Sequence, residues 1–122
     1  MKTNASNEIT LKFPSRSCNE GFARTAIACF ATQLDPTLNE LEDIKTSISE
    51  AVTNAIVHGY REKEGKIYIT VSIFENNIIR IKIRDKGVGI EDIEKGYGTT
   101  VYYRHGSESL RYGFYRDGKL YR

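Results

Sequence analysis

The sequence predicts an α+β domain in which two helices lie on one face of a mostly antiparallel sheet. Three observations carry that prediction. Ile9, Leu11 and Phe13 alternate with polar residues, as do Ile67, Ile69, Val71 and Ile73, and again Ile79, Ile81 and Ile83. A period of two belongs to half-buried strands. Between the first and second of these runs, apolar residues recur twice at helical spacing. The order strand, helix, helix, strand, strand then lets both helices bury their apolar stripes on one side of a sheet.

The elements follow in order. Met1 to Asn7 is polar and reads as a frayed end. After the first strand, Ser17 stands three residues before Glu20, a capping box that would open a helix. Its stripe is Phe22, Ala26, Cys29 and Phe30, and it runs to about Leu34, where Asp35-Pro36 breaks it. Thr37 and Glu40 repeat the capping pattern. The second helix then carries Leu38, Leu41, Ile44, Ile48, Val52, Ala55 and Ile56 on its core face and ends at Gly59. Asn76-Asn77 suits a tight turn, so the flanking strands form a hairpin.

Composition narrows the class. A chain of 122 residues holds one small domain, and its 39% hydrophobic and 28% charged content is that of a globular protein. No apolar run approaches the roughly 18 residues of a membrane span, and no signal-peptide pattern opens the chain. The expected location is the cytoplasm, with no membrane partner. Cys18 and Cys29 lie in one predicted helix without a CxxC or Cys/His cluster, so reduced, buried thiols are expected rather than a disulfide or metal. Net charge of +2 excludes little, but it is unevenly spread. Tyr97 to Arg122 carries a charge of about +3 and six of the eight tyrosines. Composition therefore changes abruptly near Gly96.

Two elements carry chemistry. Glu50, Asn54 and His58 are spaced four apart on the second helix and line one face beside its apolar stripe. A carboxylate and a carboxamide one turn apart can position a hydroxyl and ligate Mg²⁺ through oxygen. Alone, this spacing more often marks a solvated polar face. Asp85-Lys86-Gly87-Val88-Gly89-Ile90 follows a β-rich run. Its alternate glycines let backbone approach a ligand, and an Asp at a strand end can accept a hydrogen bond from a ligand amine. Alone, it reads as a glycine turn. It fits neither GxGxxG nor a Walker A loop, which removes the Rossmann and P-loop readings.

Taken together and in this order, the two elements are more specific. Glu-x-x-x-Asn on a helix, a β-hairpin, then Asp-x-Gly-x-Gly resembles the N and G1 boxes of the GHKL superfamily. The stretches Phe22-Ala23-Arg24, Gln33-Leu34-Asp35-Pro36-Thr37, Asp43-Ile44-Lys45-Thr46 and Ser49-Glu50-Ala51-Val52-Thr53-Asn54-Ala55-Ile56 resemble the anti-sigma F factors of endospore-forming bacteria. The resemblance covers roughly the first three quarters of the chain. It implies a Bergerat-type α/β sandwich and an ATP-dependent protein serine kinase of sporulation that also antagonises a sigma factor. By position, Glu50 would be the general base and Asn54 would hold Mg²⁺ on the ATP phosphates. Asp85 would receive the adenine amine, with Gly87 and Gly89 shaping the pocket floor. Arg24 would belong to the surface that meets the sigma factor and the anti-anti-sigma substrate. The implied assembly is a homodimer, with no direct nucleic-acid partner. A histidine kinase is the weaker neighbour, because no phosphoacceptor helix pair is present and neither His58 nor His105 replaces one.

The resemblance thins after Lys95. The family's ATP lid, a glycine box like RSGMGF, a helix and further strands are absent as written. Gly98-Thr99-Thr100-Val101 matches a late Gly-Thr-Thr-Val strand of the family whose threonine touches adenine, a match read here as coincidence. Back-translated with suitable codons and read one base later, Tyr97–Tyr103 becomes Met-Glu-Pro-Leu-Tyr-Thr-Thr, which resembles the start of the lid. Ser109–Tyr121 becomes Arg-Ser-Gly-Met-Gly-Phe-Thr-Val-Met-Glu-Asn-Phe, which resembles the glycine box and the helix after it. The spacing between the two also suits the family.

The organisation expected is therefore a partial, C-terminally incomplete GHKL domain over residues 1–95 and a frame-shifted, Tyr/Arg-rich tail over 96–122. Phe114 to Tyr121 contains an Asp-Gly turn between β-favouring residues and so reads as a local hairpin. Losing lid and glycine box predicts weak ATP binding, impaired kinase activity and isoleucines left uncovered in a marginal fold. The alternatives are an ATP-blind sigma-binding remnant and a non-functional truncated product.

Overall fold

In the computed structural model of the chain, residues 5–59, 64–85, 98–104, 110–116 and 119–121 are described. They form a six-stranded sheet in the order β1-β2-β3-β4-β5-β6, every neighbouring pair antiparallel. The strands are β1 (Asn7–Pro14), β2 (Lys66–Phe74), β3 (Ile78–Asp85), β4 (Gly98–Arg104), β5 (Leu110–Arg116) and β6 (Lys119–Tyr121). Helices α1 (Asn19–Ala31) and α2 (Leu38–Asn54) connect β1 to β2. The expected α+β architecture stands.

Register and alternation fix the core. Ile9, Val71, Ile81 and Val101 face one another across β1 to β4, as do Leu11, Ile69 and Ile83, and Ile73, Ile79 and Tyr103. These side chains point to the helix side, because strand side chains alternate between faces. They pack with Ala23, Ile27, Ala31, Ile44, Ile48, Ala51 and Val52 of the helices. Burying an aliphatic side chain of this size contributes roughly 1.5–3 kcal/mol. The expectation of uncovered isoleucines is corrected: Ile79 and Ile81 are fully buried and Ile83 is 2% exposed. The reason lies in β4, which pairs with the free edge of β3 and adds Val101 and Tyr103 to the core.

Several local expectations also change. Ser6 already donates its amide and hydroxyl to the Ile73 carbonyl, at 2.8 and 3.0 Å, so order begins before Asn7. The first capping box does not form. Cys18 takes the N-cap position without a side-chain cap bond, and Ser17 offers its backbone carbonyl to the Glu20 amide. α1 is also rotated from the expected stripe. Ala23, Ile27, Ala28 and Ala31 are buried, whereas Phe22 is 59% exposed and Cys29 is exposed. Small residues on that face let α1 sit close to its neighbours, which drives the bulky Phe22 outward. Both cysteines are free and exposed rather than buried.

α1 gives way to a 3-10 turn at Thr32–Leu34, closed by Asp35 in the left-handed region at φ 52°. The second capping box forms in full. The Thr37 hydroxyl accepts from the Glu40 amide at 3.1 Å, and the Glu40 carboxylate accepts from the Thr37 amide at 2.8 Å. In the β2–β3 hairpin Phe74 pairs with Ile78, and Asn77 takes φ 60°, a conformation that asparagine tolerates better than most residues. Arg16 forms an exposed ion pair with Glu64, joining the loop after β1 to the one before β2. The Arg16 hydrogen bond holds the Glu64 carboxyl below its ordinary range and raises the guanidinium in turn.

Candidate functional site

α2 and the end of β3 bring the sequence-predicted residues to one side of the sheet. Asn54 is the last residue of α2, and the chain continues at Ala55–Gly59 as a π-helical turn. Single π turns of this kind often mark functional positions in helices. This turn rests against β3. Glu50 lies one helical turn before Asn54 and is exposed, whereas Asn54 is half-buried. Both sit beside the buried Ala51, Val52 and Ala55, so the core fixes the direction in which α2 presents them.

Asp85 ends β3 opposite Ile67. By strand alternation it shares the helix side with Ile81 and Ile83, and it is 3% exposed. A carboxylate buried beside an aliphatic row needs polar partners. It is suited to accepting a hydrogen bond from an amine that enters between sheet and helices. Gly87 and Gly89 lie outside the described residues, as do His105 and the side chain of His58.

Arg24 on α1 donates to Glu20 at 3.4 Å and to the Ser49 hydroxyl at 3.3 Å. It therefore joins α1 to α2 one residue before Glu50, while its side chain stays 40% exposed. The exposed ion pair contributes little by itself. The bond to Ser49 is what ties α1 to the helix that carries Glu50. Ser49 was not legible as part of this set, because nothing local in the sequence signals a partner twenty-five residues away.

Strand β4 adds a further neighbour to the site. Gly98 pairs with Arg84 and Thr99 with Ile83, which brings the Gly-Thr-Thr-Val segment alongside the strand that ends at Asp85. Thr100, opposite Lys82, is 2% exposed.

Two helices on one face of an antiparallel sheet, with Asp85 buried at the end of β3, fit the class of ATPase domains to which the comparisons point. The sequence profile of the histidine kinase-like ATPase domain matches residues 13–109, and the chain belongs to that family. Anti-sigma F factors are among its relatives. It is 54% identical over 90 residues to the anti-sigma F factor of Bacillus subtilis, covering 73% of this chain and 61% of that one. It is 50% identical over 108 residues to that of Caldanaerobacter subterraneus, covering 88% and 75%. With the anti-sigma F factor of Clostridium acetobutylicum it shares 45% over 108 residues. The chain thus spans about three fifths of the Bacillus relative, and the profile match continues beyond Lys95.

Proposed function

We propose that this chain carries the nucleotide half-site of an anti-sigma factor that binds a sporulation sigma factor and phosphorylates an anti-anti-sigma factor on serine. The observation that carries the reading is the placement of Asp85, buried on the helix side at the end of β3, the strand that contacts the π turn following Glu50 and Asn54. Anti-sigma F factors at about half identity support the class of partner.

The residues present fit one end of ATP well. Asp85 would accept the adenine amine. Asn54 would offer a carboxamide oxygen to Mg²⁺. Among the described residues no group of three or more His, Cys, Asp or Glu is gathered around a metal. Mg²⁺ keeps phosphate and water ligands and takes few from the protein. When bound, ATP supplies the phosphoryl group. Glu50, exposed one turn from Asn54, would hold the substrate serine hydroxyl and take its proton. Gly87 and Gly89 would allow close backbone approach, and Arg24 would lie on the partner-binding surface. A homodimer would be served by β1, an outer strand of the sheet among the described residues.

Kinase activity is expected to be impaired. The amides that would hold the β- and γ-phosphates belong to the lid and glycine box, and phosphoryl transfer depends on such positioning. We infer that residues 96–122 read a displaced frame that begins near Lys95-Gly96. The back-translated matches support this, while a profile match reaching residue 109 and an alignment of 108 residues with a relative weigh against an abrupt boundary. The nucleotide sequence decides it. One extra base or two missing bases near that point would produce the displaced frame, so undoing that change should restore a lid and glycine box, and failure of every single shift to do so would dismiss the idea.

Isothermal titration with Mg-ATP tests the site. Weak binding that is lost in Asp85→Asn supports it. Heat that persists in the folded variant places the nucleotide elsewhere. A folded protein that gives no heat but still captures the sigma factor favours a binding remnant without catalysis.

A further inference from the structure

Helix α1 carries more apolar surface than the core takes up. Ala23, Ile27, Ala28 and Ala31 are buried, yet Phe22, Ala26, Cys29 and Phe30 form a second stripe at helical spacing. Phe22 and Cys29 are exposed, and Ala26 and Phe30 are half-buried. No charge interrupts this stripe. The two charged side chains of α1, Glu20 and Arg24, pair with each other, and Arg24 reaches Ser49 of α2. Ala26 is two residues from Arg24, about 160° around the helix, so the second stripe lies on the flank turned away from α2. A surface helix ordinarily gives such a flank to charged residues.

That flank borders β1, an outer strand of the sheet among the described residues. α1 runs back along this strand. At one end the Asn19 side chain donates to the Pro14 carbonyl at 3.0 Å, and at the other Asn7 donates to Gln33 at 2.8 Å. Ala26, midway between, therefore stands beside the middle of β1, at Thr10 and Leu11. The core is only partly closed there: Ile9 and Leu11 are half-buried, whereas their β2 partners Val71 and Ile69 are fully buried. Both elements also keep their character when read in either direction. Around Thr10 stand Ile9 and Leu11, then Glu8 and Lys12; around Ala26 stand Phe22 and Phe30. A contact between identical copies across a two-fold axis requires self-complementarity of this kind.

We propose that a second copy of this chain docks here, β1 edge to edge and α1 flank to flank, about one two-fold axis passing near Thr10 and Ala26. Antiparallel pairing with Thr10 opposite Thr10 continues the sheet across the axis. It sets Glu8, exposed, against Lys12 of the second copy, also exposed, and opposite charges directly across a strand pair attract. Ile9 and Leu11 meet on the helix side. The small Ala26 lets the two α1 helices approach, and Phe22 of each copy packs on Phe30 of the other. The inference rests on the homodimer of the proposed function, to which it adds register and residues, and on none of its nucleotide chemistry.

The test is sedimentation velocity of the full chain over a concentration series, with folding checked by circular dichroism. A reversible monomer–dimer equilibrium is expected. Glu8→Lys and Lys12→Glu should each raise the dissociation constant roughly tenfold. An equimolar mixture of the two variants should recover the parent affinity, because an all-basic strand then faces an all-acidic one. Ala26→Glu, which sets two carboxylates at the axis, should raise the constant at least tenfold, while Leu38→Glu, at an 82% exposed position on α2, should change it less than threefold. The charge exchange remains readable if Ala26→Glu disturbs the helix. A dimer indifferent to these changes, no recovery on mixing, or equal loss in Leu38→Glu would overturn this interface and leave a homodimer standing. A monomer at every concentration would overturn both. Neither result bears on the Asp85 site, which the Mg-ATP titration tests.

Discussion

The stretch from β1 to β3 and the stretch from β4 to β6 contribute to one sheet by different means. In the first, each strand alternates cleanly, two helices cover one face, and the turns carry residues that suit them: Thr37 and Glu40 at a helix start, Asn77 at positive φ. In the second, Tyr- and Arg-rich strands add on sequentially, and among the described residues no helix follows them. Even so, Val101 is fully buried and Tyr103 is 3% exposed, both within the same core as the isoleucines. An edge strand with unpaired amides and carbonyls accepts any β-favouring segment whose alternation matches. A Tyr- and Arg-rich segment can therefore complete a core by backbone pairing and two well-placed side chains.

The strongest way to break this comparison is to remove the tail. A chain ending at Lys95 would lose Val101 and Tyr103 from the core, roughly 3–6 kcal/mol of burial at 1.5–3 kcal/mol each. Against a total of roughly 5–15 kcal/mol, thermal unfolding followed by circular dichroism should lose its cooperative transition or drop steeply in midpoint. An unchanged midpoint would mean that β4 only decorates the sheet.

A matched pair of core truncations sharpens the same contrast. Ile81→Ala should cost about 2–5 kcal/mol, and Val101→Ala, its neighbour in the same row, roughly 1.5–3 kcal/mol. Urea denaturation would measure both. A negligible cost for Val101→Ala beside a full cost for Ile81→Ala would separate the regions energetically.

Smaller effects test the first region alone. Thr37→Ala removes a formed cap and should cost about 1 kcal/mol, whereas Ser17→Ala should change little, because no side-chain cap bond forms at that helix start. Similar melting shifts for the two would contradict the observed geometry. The smallest effect belongs to Glu64. Its folded carboxyl is held low, first by the Arg16 hydrogen bond, so its stabilisation is present above the ordinary value near about 4.3 and fades as pH falls through the lower folded value. Glu64→Gln should therefore lower the melting midpoint slightly at neutral pH and not at all in strong acid. A gap that widens with acid would reverse that sign.

Much of the site was legible because its residues recur at fixed local spacing. Glu50 and Asn54 are one turn apart, and Asp85 ends an alternating run. Arg24 was legible only through resemblance, and its bond to Ser49 was not legible at all, since it joins two helices. Phe22 misled because the helical period tolerates several choices of buried face. Packing against the sheet selected the small residues Ala23, Ala28 and Ala31 together with Ile27.

By itself the sequence determined the two helices, the β2–β3 hairpin, the Thr37 cap and the family, since each depends on local periodicity or on residues in short order. Tertiary structure alone decided which face of α1 turned inward and how β4 sealed the isoleucine row. Those outcomes depend on register between segments distant in the chain, and a one-residue slip in register would have sent every side chain to the other face.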